Sequence, residues 1–352
     1  MDKNFYYNFF HEQLKKIKSE NRYRVFNQLE KYHTSYPFAN WVNDENKKKI
    51  IIWCSNDYLG MSQKKIIIDA AKKSLSEYGT GSGGTRNISG NHMPIVELEK
   101  EIASLHKKDA ALVFTSGYVA NESTINSLIK LFPDCIVFSD QQNHASIISG
   151  INKSSSKKII FLHNDMNDLE NKLKSVEYQL PKIIIFESVY SMDGSIGKIK
   201  EIINLAKKYN CLTYIDEVHA VGMYGKTGAG LSEQLSLNSS IDIIQGTLGK
   251  AYGTMGGYIT SSDLICDTIR SYASGFIFTT AMPPALATAA NESIRYLKKS
   301  NRERLLQQKN VLLLKNYLLK ENIPFLDNKS HIIPVMVNNP IRCKEISNIL
   351  LN

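Results

Sequence analysis

The middle of the chain alternates short apolar runs with longer amphipathic stretches, and this alternation constrains the fold more than any other feature. Six apolar runs are candidates for strands, at residues 110–114, 135–138, 158–161, 183–186, 212–215 and 241–244. Helical periodicity fills several of the intervals between them, at residues 94–107, 119–131, 166–177 and 198–209. Runs that are apolar on both faces, joined by connections long enough for helices, predict an α/β fold in which a mostly parallel central sheet has helices on both faces.

The segments on either side of this region predict two further parts of the molecule. Their predicted elements are helices at residues 5–33 and 64–78, a strand at 50–54, one long helix or two successive helices at 286–321, a strand at 331–337 and a helix at 343–351. We therefore divide the chain into an N-terminal helical arm (1–50), a large domain (51–290) and a small C-terminal α/β domain (291–352). One strand and one helix are too few to close a two-layer unit, so the small domain is expected to be truncated.

The composition is that of an ordinary globular protein and argues against several functions. The 43 basic and 34 acidic residues give a formal net charge of +9, but no basic cluster is interleaved with aromatic residues, so nucleic-acid binding is not predicted. No apolar run approaches the length that spans a membrane. The N-terminus lacks the basic flank and apolar core of a secretion signal, and its acidic residues argue against a transit peptide.

The five cysteines lie far apart in the sequence, at positions 54, 135, 211, 266 and 343. They show neither the paired spacing of metal ligands nor a compact disulfide pattern. This usage is typical of a reducing compartment, so a cytoplasmic location and no metal site are predicted.

Polar motifs follow the predicted strands, at the edge of the sheet where ligands of such folds bind. Ser116, Gly117 and Tyr118 follow the first run and lead into a helix, whose first turn offers backbone N–H groups to an anion. His144 follows the second run and is a candidate to stack on an aromatic ring. A single histidine in this position is more often a loop or capping residue, so its role depends on its neighbours.

Lys250 and an acidic residue about thirty positions before it suit a site for pyridoxal phosphate (PLP). This cofactor requires an amine to hold its aldehyde and a carboxylate to keep its pyridine nitrogen protonated. Lys250 lies among small residues after an apolar run, and Asp216 directly follows another run, with Glu217 as the alternative acid. A lysine of this kind is by itself usually solvated, so the hypothesis depends on the surrounding motifs.

Residues 79–90 contain too many glycines for a simple turn. Glycine permits backbone conformations that are closed to other residues and lets the chain approach a ligand closely. A flexible linker is the alternative, but the interspersed Thr85, Arg86 and Asn87 favour a binding loop.

Together these motifs resemble those of the α-oxoamine synthases, a subfamily of the fold-type I PLP-dependent transferases. The resemblance extends over nearly the whole chain and is carried by the blocks at 53–61 (WCSNDYLGM), 81–90 (GSGGTRNISG), 186–194 (FESVYSMDG), 216–225 (DEVHAVGMYG) and 246–253 (GTLGKAYG). It implies PLP as cofactor and a homodimer with active sites at the interface. The blocks are most similar to the acyltransferase that condenses glycine with succinyl-CoA in tetrapyrrole synthesis. Another acyl-CoA:amino acid condensing enzyme, or a PLP-binding chain without full activity, is the alternative.

The resemblance also implies roles for individual residues. Lys250 is implied to hold PLP covalently and to remove a proton from glycine, and Asp216 to pair with the pyridine nitrogen. His219 is implied to hydrogen-bond the phenolic oxygen and His144 to stack on the ring. Both histidines are implied to assist catalysis. The residues implied at the phosphate are Ser116, Gly117, Tyr118 and Thr247, with Thr279 or Thr280 reaching it from the neighbouring subunit. Glu187 and Ser191 are implied to line the cofactor region. The residues implied to bind substrate are Arg24, Thr85 and Asn87 at the succinyl carboxylate and Asn56 nearby.

The resemblance further leads us to expect more chain after Asn352. Family members bind the carboxylate of the amino acid substrate through an arginine in the rest of the small domain, and Arg342 lies too early to take that role. The sequence is therefore expected to be a fragment of a longer product or a natural truncation with weaker glycine binding, since a two-point clamp on a carboxylate contributes substantially to affinity.

Overall fold

The computed structural model describes residues 3–43 and 46–351. The strands of this part of the chain are β1 (Gln28–Glu30), β2 (Phe38–Asn43), β3 (Asn46–Ile51), β4 (Ala110–Phe114), β5 (Ile136–Asp140), β6 (Lys157–Phe161), β7 (Lys182–Glu187), β8 (Leu212–Asp216), β9 (Ile243–Thr247) and β10 (Gly257–Ser261). Its α-helices are α1 (Lys3–Ser19), α2 (Lys65–Tyr78), α3 (Met93–His106), α4 (Gly117–Leu131), α5 (Ala145–Asn152), α6 (Met166–Lys174), α7 (Ile199–Lys208), α8 (Leu231–Gln234), α9 (Asp263–Tyr272), α10 (Ser274–Ile277), α11 (Pro284–Lys299), α12 (Arg302–Lys320) and α13 (Pro340–Leu351).

The chain forms two compact units. The larger unit contains Asn56–Lys315 and Asp327–Ile333, and the smaller one contains Met1–Ser55, Asn316–Leu326 and Pro334–Asn352. The predicted domain limits after residues 50 and 290 stay a prediction.

The larger unit contains a seven-stranded sheet in the order β4-β10-β9-β8-β7-β5-β6. β10 is antiparallel to both of its neighbours, and the strands from β9 across to β6 are parallel to one another. Since β4 and β9 are both antiparallel to β10, six strands run in one direction. The predicted α/β fold with a mostly parallel sheet is confirmed, and all six predicted strands form. β10 was not predicted.

The inner strands of this sheet are buried on both faces, as their apolar runs require, whereas Ile160 on the edge strand β6 is exposed. Alternate residues of β7 point to opposite faces, so that Ile183 and Ile185 join one apolar cluster and Ile184 and Phe186 join another. On the first face the sheet packs against α4, and on the second against α7, through the clusters that contain Ile125 and Ile203. The carboxyl ends of the six parallel strands therefore lie along one edge of the sheet, where the predicted site residues follow.

The smaller unit contains an antiparallel sheet of β1, β2 and β3, in which Leu29 pairs with Trp41. The prediction of helix over residues 5–33 is wrong beyond Ser19. Asn21 adopts a φ of 54°, in the left-handed region, and Arg22 N donates to Ile17 O at 2.9 Å, which is a common way for a helix to end.

The strand predicted at 331–337 does not form. Only an isolated bridge joins Phe325 to Val335, beside the bonds from Leu326 N to Pro334 O and from Met336 N to Pro324 O. A proline in each of the two segments removes a donor from the ladder, which prevents it from extending.

Two further properties concern the whole described chain. Within residues 3–43 and 46–351, no helix combines the length and the apolar character that crossing a bilayer requires. In the same part of the chain, no three His, Cys, Asp or Glu side chains are grouped so as to hold a metal ion.

Candidate active site

Lys250 lies in a turn just after β9, and its side-chain nitrogen is 2.6 Å from His219 Nε2. Burial lowers the pKa of Lys250 to about 8, against the opposing effect of the Asp216 and Glu187 carboxylates. An amine with such a pKa is partly neutral near neutral pH, and the neutral form is the nucleophile. Lys250 is therefore suited to bond covalently to an aldehyde.

His219 connects Lys250 to Tyr58 and Asn56 in a chain of hydrogen bonds. Burial and the charge of Lys250 lower the pKa of His219 to about 2, so its ring carries a single proton. A protonated lysine can only donate, so Nε2 accepts and the proton is on Nδ1, which lies 2.8 Å from the Tyr58 hydroxyl. That hydroxyl is then free to donate to Asn56 Oδ1 at 3.3 Å. The order of donors fixes the tautomer of His219.

Asp216, at the end of β8, is buried and well supplied with donors. Its Oδ2 accepts from Asn121 Nδ2 at 2.7 Å, its Oδ1 accepts from Val218 N at 2.8 Å, and Asn121 Oδ1 in turn accepts from the Tyr214 hydroxyl at 2.8 Å. Burial raises the pKa of Asp216, whereas these hydrogen bonds and the Lys250 cation favour the charged carboxylate. The arrangement suits a carboxylate that pairs with a protonated ring nitrogen.

Glu217, the alternative acid, is occupied elsewhere. It is fully buried, and its carboxylate accepts from Leu231 N at 3.0 Å and from Ser232 N at 2.7 Å. These bonds fix the loop that enters α8. The geometry therefore favours Asp216 over Glu217 as the partner of a cofactor.

His144 is the N-cap residue of α5 and is exposed in the single chain. Its Nδ1 accepts from Ser146 N at 3.2 Å, and its backbone N–H donates to Glu187 Oε1 at 2.6 Å. Burial and the nearby Asp216 raise the pKa of Glu187 well above its ordinary value. Ser191 is half-buried in the turn after β7. Ser146 thus fixes the ring of His144, and Glu187 fixes its backbone, while the side chain stays exposed.

The first turn of α4 offers a place for an anion. Ser116 caps the helix, with its Oγ accepting from Val119 N at 3.1 Å, and Gly117 follows. A Cβ atom on Gly117 would lie 3.3 Å from Gln245 Nε2 and 3.5 Å from Thr247 Oγ1, so glycine keeps the turn open beside Thr247. Tyr118 is about half-exposed on the same turn, with its ring centroid 6.5 Å from that of His144. Backbone N–H groups at a helix N-terminus next to a hydroxyl suit a phosphate.

The glycine-dense stretch is anchored to the body of the larger unit. Ser82 Oγ donates to Ala281 O at 2.9 Å, and Arg86 forms a two-point ion pair with Glu99 at 2.7 and 2.8 Å. Thr85 donates to Asn87 Oδ1 and forms a backbone bridge with Thr280. These contacts argue against a flexible linker.

The structure brings most, but not all, of the predicted site residues together. Thr279 and Thr280 lie next to the glycine-dense stretch of their own chain, so their predicted role in another subunit stays a prediction. Arg24 belongs to the smaller compact unit, and its role likewise stays a prediction.

Sequence reasoning did not assign roles to several residues that contact the site. Tyr58 lies within one of the motif blocks, but Asn121, Tyr214, Ser146 and His331 had no recognisable signal in the sequence. His331 reaches the site through its ring, whose centroid is 4.5 Å from that of Tyr58.

The residues present fit PLP. An amine of lowered pKa, a buried carboxylate with fixed donors, an exposed imidazole and an open helix N-terminus correspond to the aldehyde, ring nitrogen, ring face and phosphate of this cofactor.

Comparison with known proteins agrees with this geometry. The family model for aminotransferase class I and II matches residues 48–352. A 5-aminolevulinate synthase from Rickettsia felis is 55% identical over 99% of this chain and 83% of its own length, and one from Rhizobium meliloti is 51% identical over 98% and 85%. Among solved structures, serine palmitoyltransferase from S. paucimobilis has a TM-score of 0.90 at 26% identity, covering 100% of this chain and 90% of that one.

Proposed function

The chain belongs to the class I and II aminotransferase family and, within it, to the 5-aminolevulinate synthases, and on this basis we propose that it condenses glycine with succinyl-CoA. The products are 5-aminolevulinate, coenzyme A and carbon dioxide, in a step of haem and porphyrin synthesis. The observation that carries the proposal is the buried Lys250 amine in contact with His219 and near the Asp216 carboxylate, in a chain so similar to relatives of that name.

PLP, when bound, withdraws electrons from the α-carbon of an attached amino acid. The residues around the cofactor have separate roles. In the neutral form that its lowered pKa allows near neutral pH, the Lys250 amine would remove a proton from the α-carbon of glycine. His219 accepts a hydrogen bond from Lys250 and so fixes the position of that base. The bonds from Asn121 and Val218 favour the charged form of the Asp216 carboxylate, which would pair with the pyridine nitrogen.

The proposed roles of the other residues follow their positions around this centre. His144 covers one face of the cofactor ring, and the first turn of α4 binds its phosphate. The residues proposed to complete the cofactor site are Ser116, Gly117, Tyr118, Thr247, Glu187 and Ser191, and those proposed for substrate are Asn56, Thr85, Asn87 and Arg24.

The proposed assembly is a homodimer in which Thr279 or Thr280 completes the phosphate site of the other subunit. Ile88, on the glycine-dense stretch, and Phe278, just before these threonines, are 75% and 79% exposed in the single chain. Exposed large apolar side chains in a region of functional importance are typical of a subunit interface. The five cysteines are free, which supports the proposed cytoplasmic location.

Two measurements on the purified protein test the proposal. Borohydride reduction is expected to fix PLP on Lys250, as read by mass spectrometry of the labelled peptide, and Lys250→Ala is expected to lose the label. Lys208→Ala, which removes an exposed lysine paired with Glu170, is the matched control and is expected to keep the label. PLP found on another residue in Lys250→Ala would overturn the assignment.

The second measurement is the release of coenzyme A from glycine and a series of acyl donors. We expect succinyl-CoA to be preferred over acetyl-CoA and palmitoyl-CoA, and glycine over serine and alanine. A preference for a different donor would indicate another condensing enzyme of the same subfamily. No release with any pair, despite PLP on Lys250, would indicate a PLP-binding chain without this activity.

A further inference from the structure

His331 contacts two tyrosines at the edge of the site described above. It lies in the segment Asp327–Ile333, which belongs to the larger compact unit. Its ring is nearly perpendicular to that of Tyr58, with centroids 4.5 Å apart, and its Nδ1 is 3.0 Å from the hydroxyl of Tyr224. Tyr58 in turn contacts His219, the partner of Lys250. His331 is thus three contacts away from the reactive amine.

The hydrogen bonds of Tyr224 fix the proton of His331. The Tyr224 hydroxyl oxygen accepts from the backbone N–H of His331 at 3.2 Å. Within the described chain, the only acceptor placed for the hydroxyl proton is Nδ1 of the same histidine. Nδ1 therefore accepts, and in the neutral ring the proton is on Nε2. Burial and the Lys250 cation lower the pKa of His331 to about 4, so the ring is neutral at physiological pH.

The N–H group at Nε2 has no partner in the protein. The Nε2 atom is buried and makes no hydrogen bond to any residue of the described chain. Buried donors without an acceptor are rare, because losing hydration without a replacement bond is unfavourable. An unpartnered donor beside a binding site is therefore best explained by an acceptor that arrives with the ligand.

We propose that Nε2–H of His331 donates a hydrogen bond to a substrate oxygen at the reacting centre. The acceptor is either the carboxylate of glycine or the thioester carbonyl of the acyl donor, and the inference rests on the function proposed above. A neutral imidazole that donates from a fixed tautomer stabilises an oxygen on which negative charge develops, without bringing a second cation close to Lys250. His331 would then contribute either to the binding of glycine or to the reaction of the acyl donor.

The competing explanation is that His331 only packs against Tyr58, with its N–H directed at the face of the tyrosine ring. In that case the residue contributes to stability, and removing or replacing its N–H donor has no effect on substrate binding or turnover. The two explanations therefore predict different kcat/KM values for a variant that keeps a hydrogen-bond donor at position 331.

The experiment compares His331→Leu, which lacks the donor, with His331→Gln, whose amide nitrogen replaces Nε2. For each variant we would measure the PLP content, the melting temperature, the dissociation constant of glycine from the change in PLP absorbance, and kcat and KM for succinyl-CoA. We expect His331→Leu to lower kcat/KM about 10- to 100-fold, as for the loss of a buried hydrogen bond, and His331→Gln to recover at least half of that loss on a logarithmic scale.

The two possible acceptors give different results. If the acceptor is the carboxylate of glycine, the dissociation constant of glycine rises in His331→Leu even when no acyl donor is present. If it is the thioester carbonyl, glycine binding is unchanged and kcat falls.

His106 provides the matched control. It is fully buried, its Nε2 is 2.9 Å from the Tyr258 hydroxyl, and its Nδ1 also has no partner in the described chain. We expect His106→Gln to lower the melting temperature and leave kcat/KM of the folded enzyme unchanged. Wild-type kinetics in His331→Leu, or equal losses in the Leu and Gln variants together with a lower melting temperature, would overturn the inference. A wild-type protein that releases no coenzyme A would instead contradict the proposed function, and the glycine titration would still test His331.

Discussion

The side-chain nitrogen of Lys250 lies 2.6 Å from Nε2 of His219, an imidazole whose pKa is lowered to about 2 and which therefore stays neutral beside the amine. His219 therefore holds the lysine through this hydrogen bond without competing for its proton. Because burial has already lowered the pKa of Lys250 to about 8, the amine is available as a nucleophile and a base under mild conditions.

The first prediction concerns the pH dependence of cofactor attachment. Only the neutral amine bonds to the aldehyde, so the rate at which PLP attaches to the apoprotein is expected to rise about tenfold per pH unit below pH 8 and to level off above it. Stopped-flow absorbance at a series of pH values measures this rate. Asp216 raises the pKa of Lys250, so Asp216→Asn is expected to move the midpoint to lower pH. A midpoint near 10.5, the ordinary value for lysine, would contradict the burial of this amine.

The second prediction concerns the hydrogen-bond chain from Lys250 to Asn56. Tyr58→Phe leaves Nδ1–H of His219 without its acceptor in a buried position. We expect kcat to fall about 10- to 100-fold while PLP content stays close to that of the wild type, since an unsatisfied buried donor costs about 1–3 kcal/mol. Asn56→Ala removes only the last acceptor, at 3.3 Å, and is expected to have a smaller effect. Equal activity of Tyr58→Phe and wild type would show that the tautomer of His219 is not held by Tyr58.

The central sheet was predictable because its strands carry a local signal. β5, β7 and β9 are buried on both faces, so their apolar runs stand out from the amphipathic helices between them. β10 has only Tyr258 and Ile259 as large apolar residues among glycine, threonine and serine. It forms a strand because β4 and β9 provide partners on both sides, and this contribution is not visible in a local stretch of sequence.

The same distinction between local and distant signals applies to the other differences. Val25 and Leu29 have a spacing that suits a helix, but the left-handed Asn21 ends α1 and the pairing of Leu29 with Trp41 determines the strand. In the candidate site, Lys250 and Asp216 directly follow strands, so a rule about strand ends identifies them.

Asn121, Tyr58 and His331 come from a helix and two distant segments. Their approach to the site depends on tertiary packing, and no spacing in the sequence indicates it.

The third prediction concerns the hydrogen-bond donors that stabilise the charged Asp216 carboxylate. Asn121→Leu removes the donor at 2.7 Å from Oδ2, so burial then raises the pKa of Asp216 further and weakens its pairing with a protonated ring nitrogen. We expect the dissociation constant of PLP to increase about 10- to 100-fold, because hydrogen bonds to charged groups contribute about 1.5–3 kcal/mol. A carboxylate of raised pKa is protonated first as the pH falls, so the loss is expected to be larger at pH 6 than at pH 8.

Tyr214→Phe tests whether this support is graded. It removes the hydroxyl that orients Asn121 but keeps the bond to Asp216, so the increase in the PLP dissociation constant is expected to be only a few-fold. Equilibrium titration of both variants with PLP at pH 6, 7 and 8 provides the measurement. A loss in Asn121→Leu that is the same at every pH would indicate a packing defect instead of a change in the charge of Asp216.

The fourth prediction separates structure from chemistry within the motif that contains Lys250. Gly253, at the end of that motif, has a φ of 68°, and a Cβ atom there would collide with the backbone nitrogen of Ser62. Gly253→Ala therefore combines a left-handed conformation with a clash against main chain that has no flexible end to move. We expect the free energy of unfolding to fall by about 2–5 kcal/mol, from the cost of the left-handed region and of overpacking.

Gly81→Ala is the matched control for this change, because φ there is not in the left-handed region and a Cβ atom would have no atom within 4 Å. Its effect on unfolding is expected to stay within about 0.5 kcal/mol, as for an ordinary surface position. Both variants should be unfolded by denaturant as apoproteins, because bound PLP would add its own stabilisation to the folded state. If Gly253→Ala is as stable as Gly81→Ala but fails to attach PLP, Gly253 serves to shape the turn that carries Lys250. The close contact with Ser62 would then not determine the stability of the larger unit.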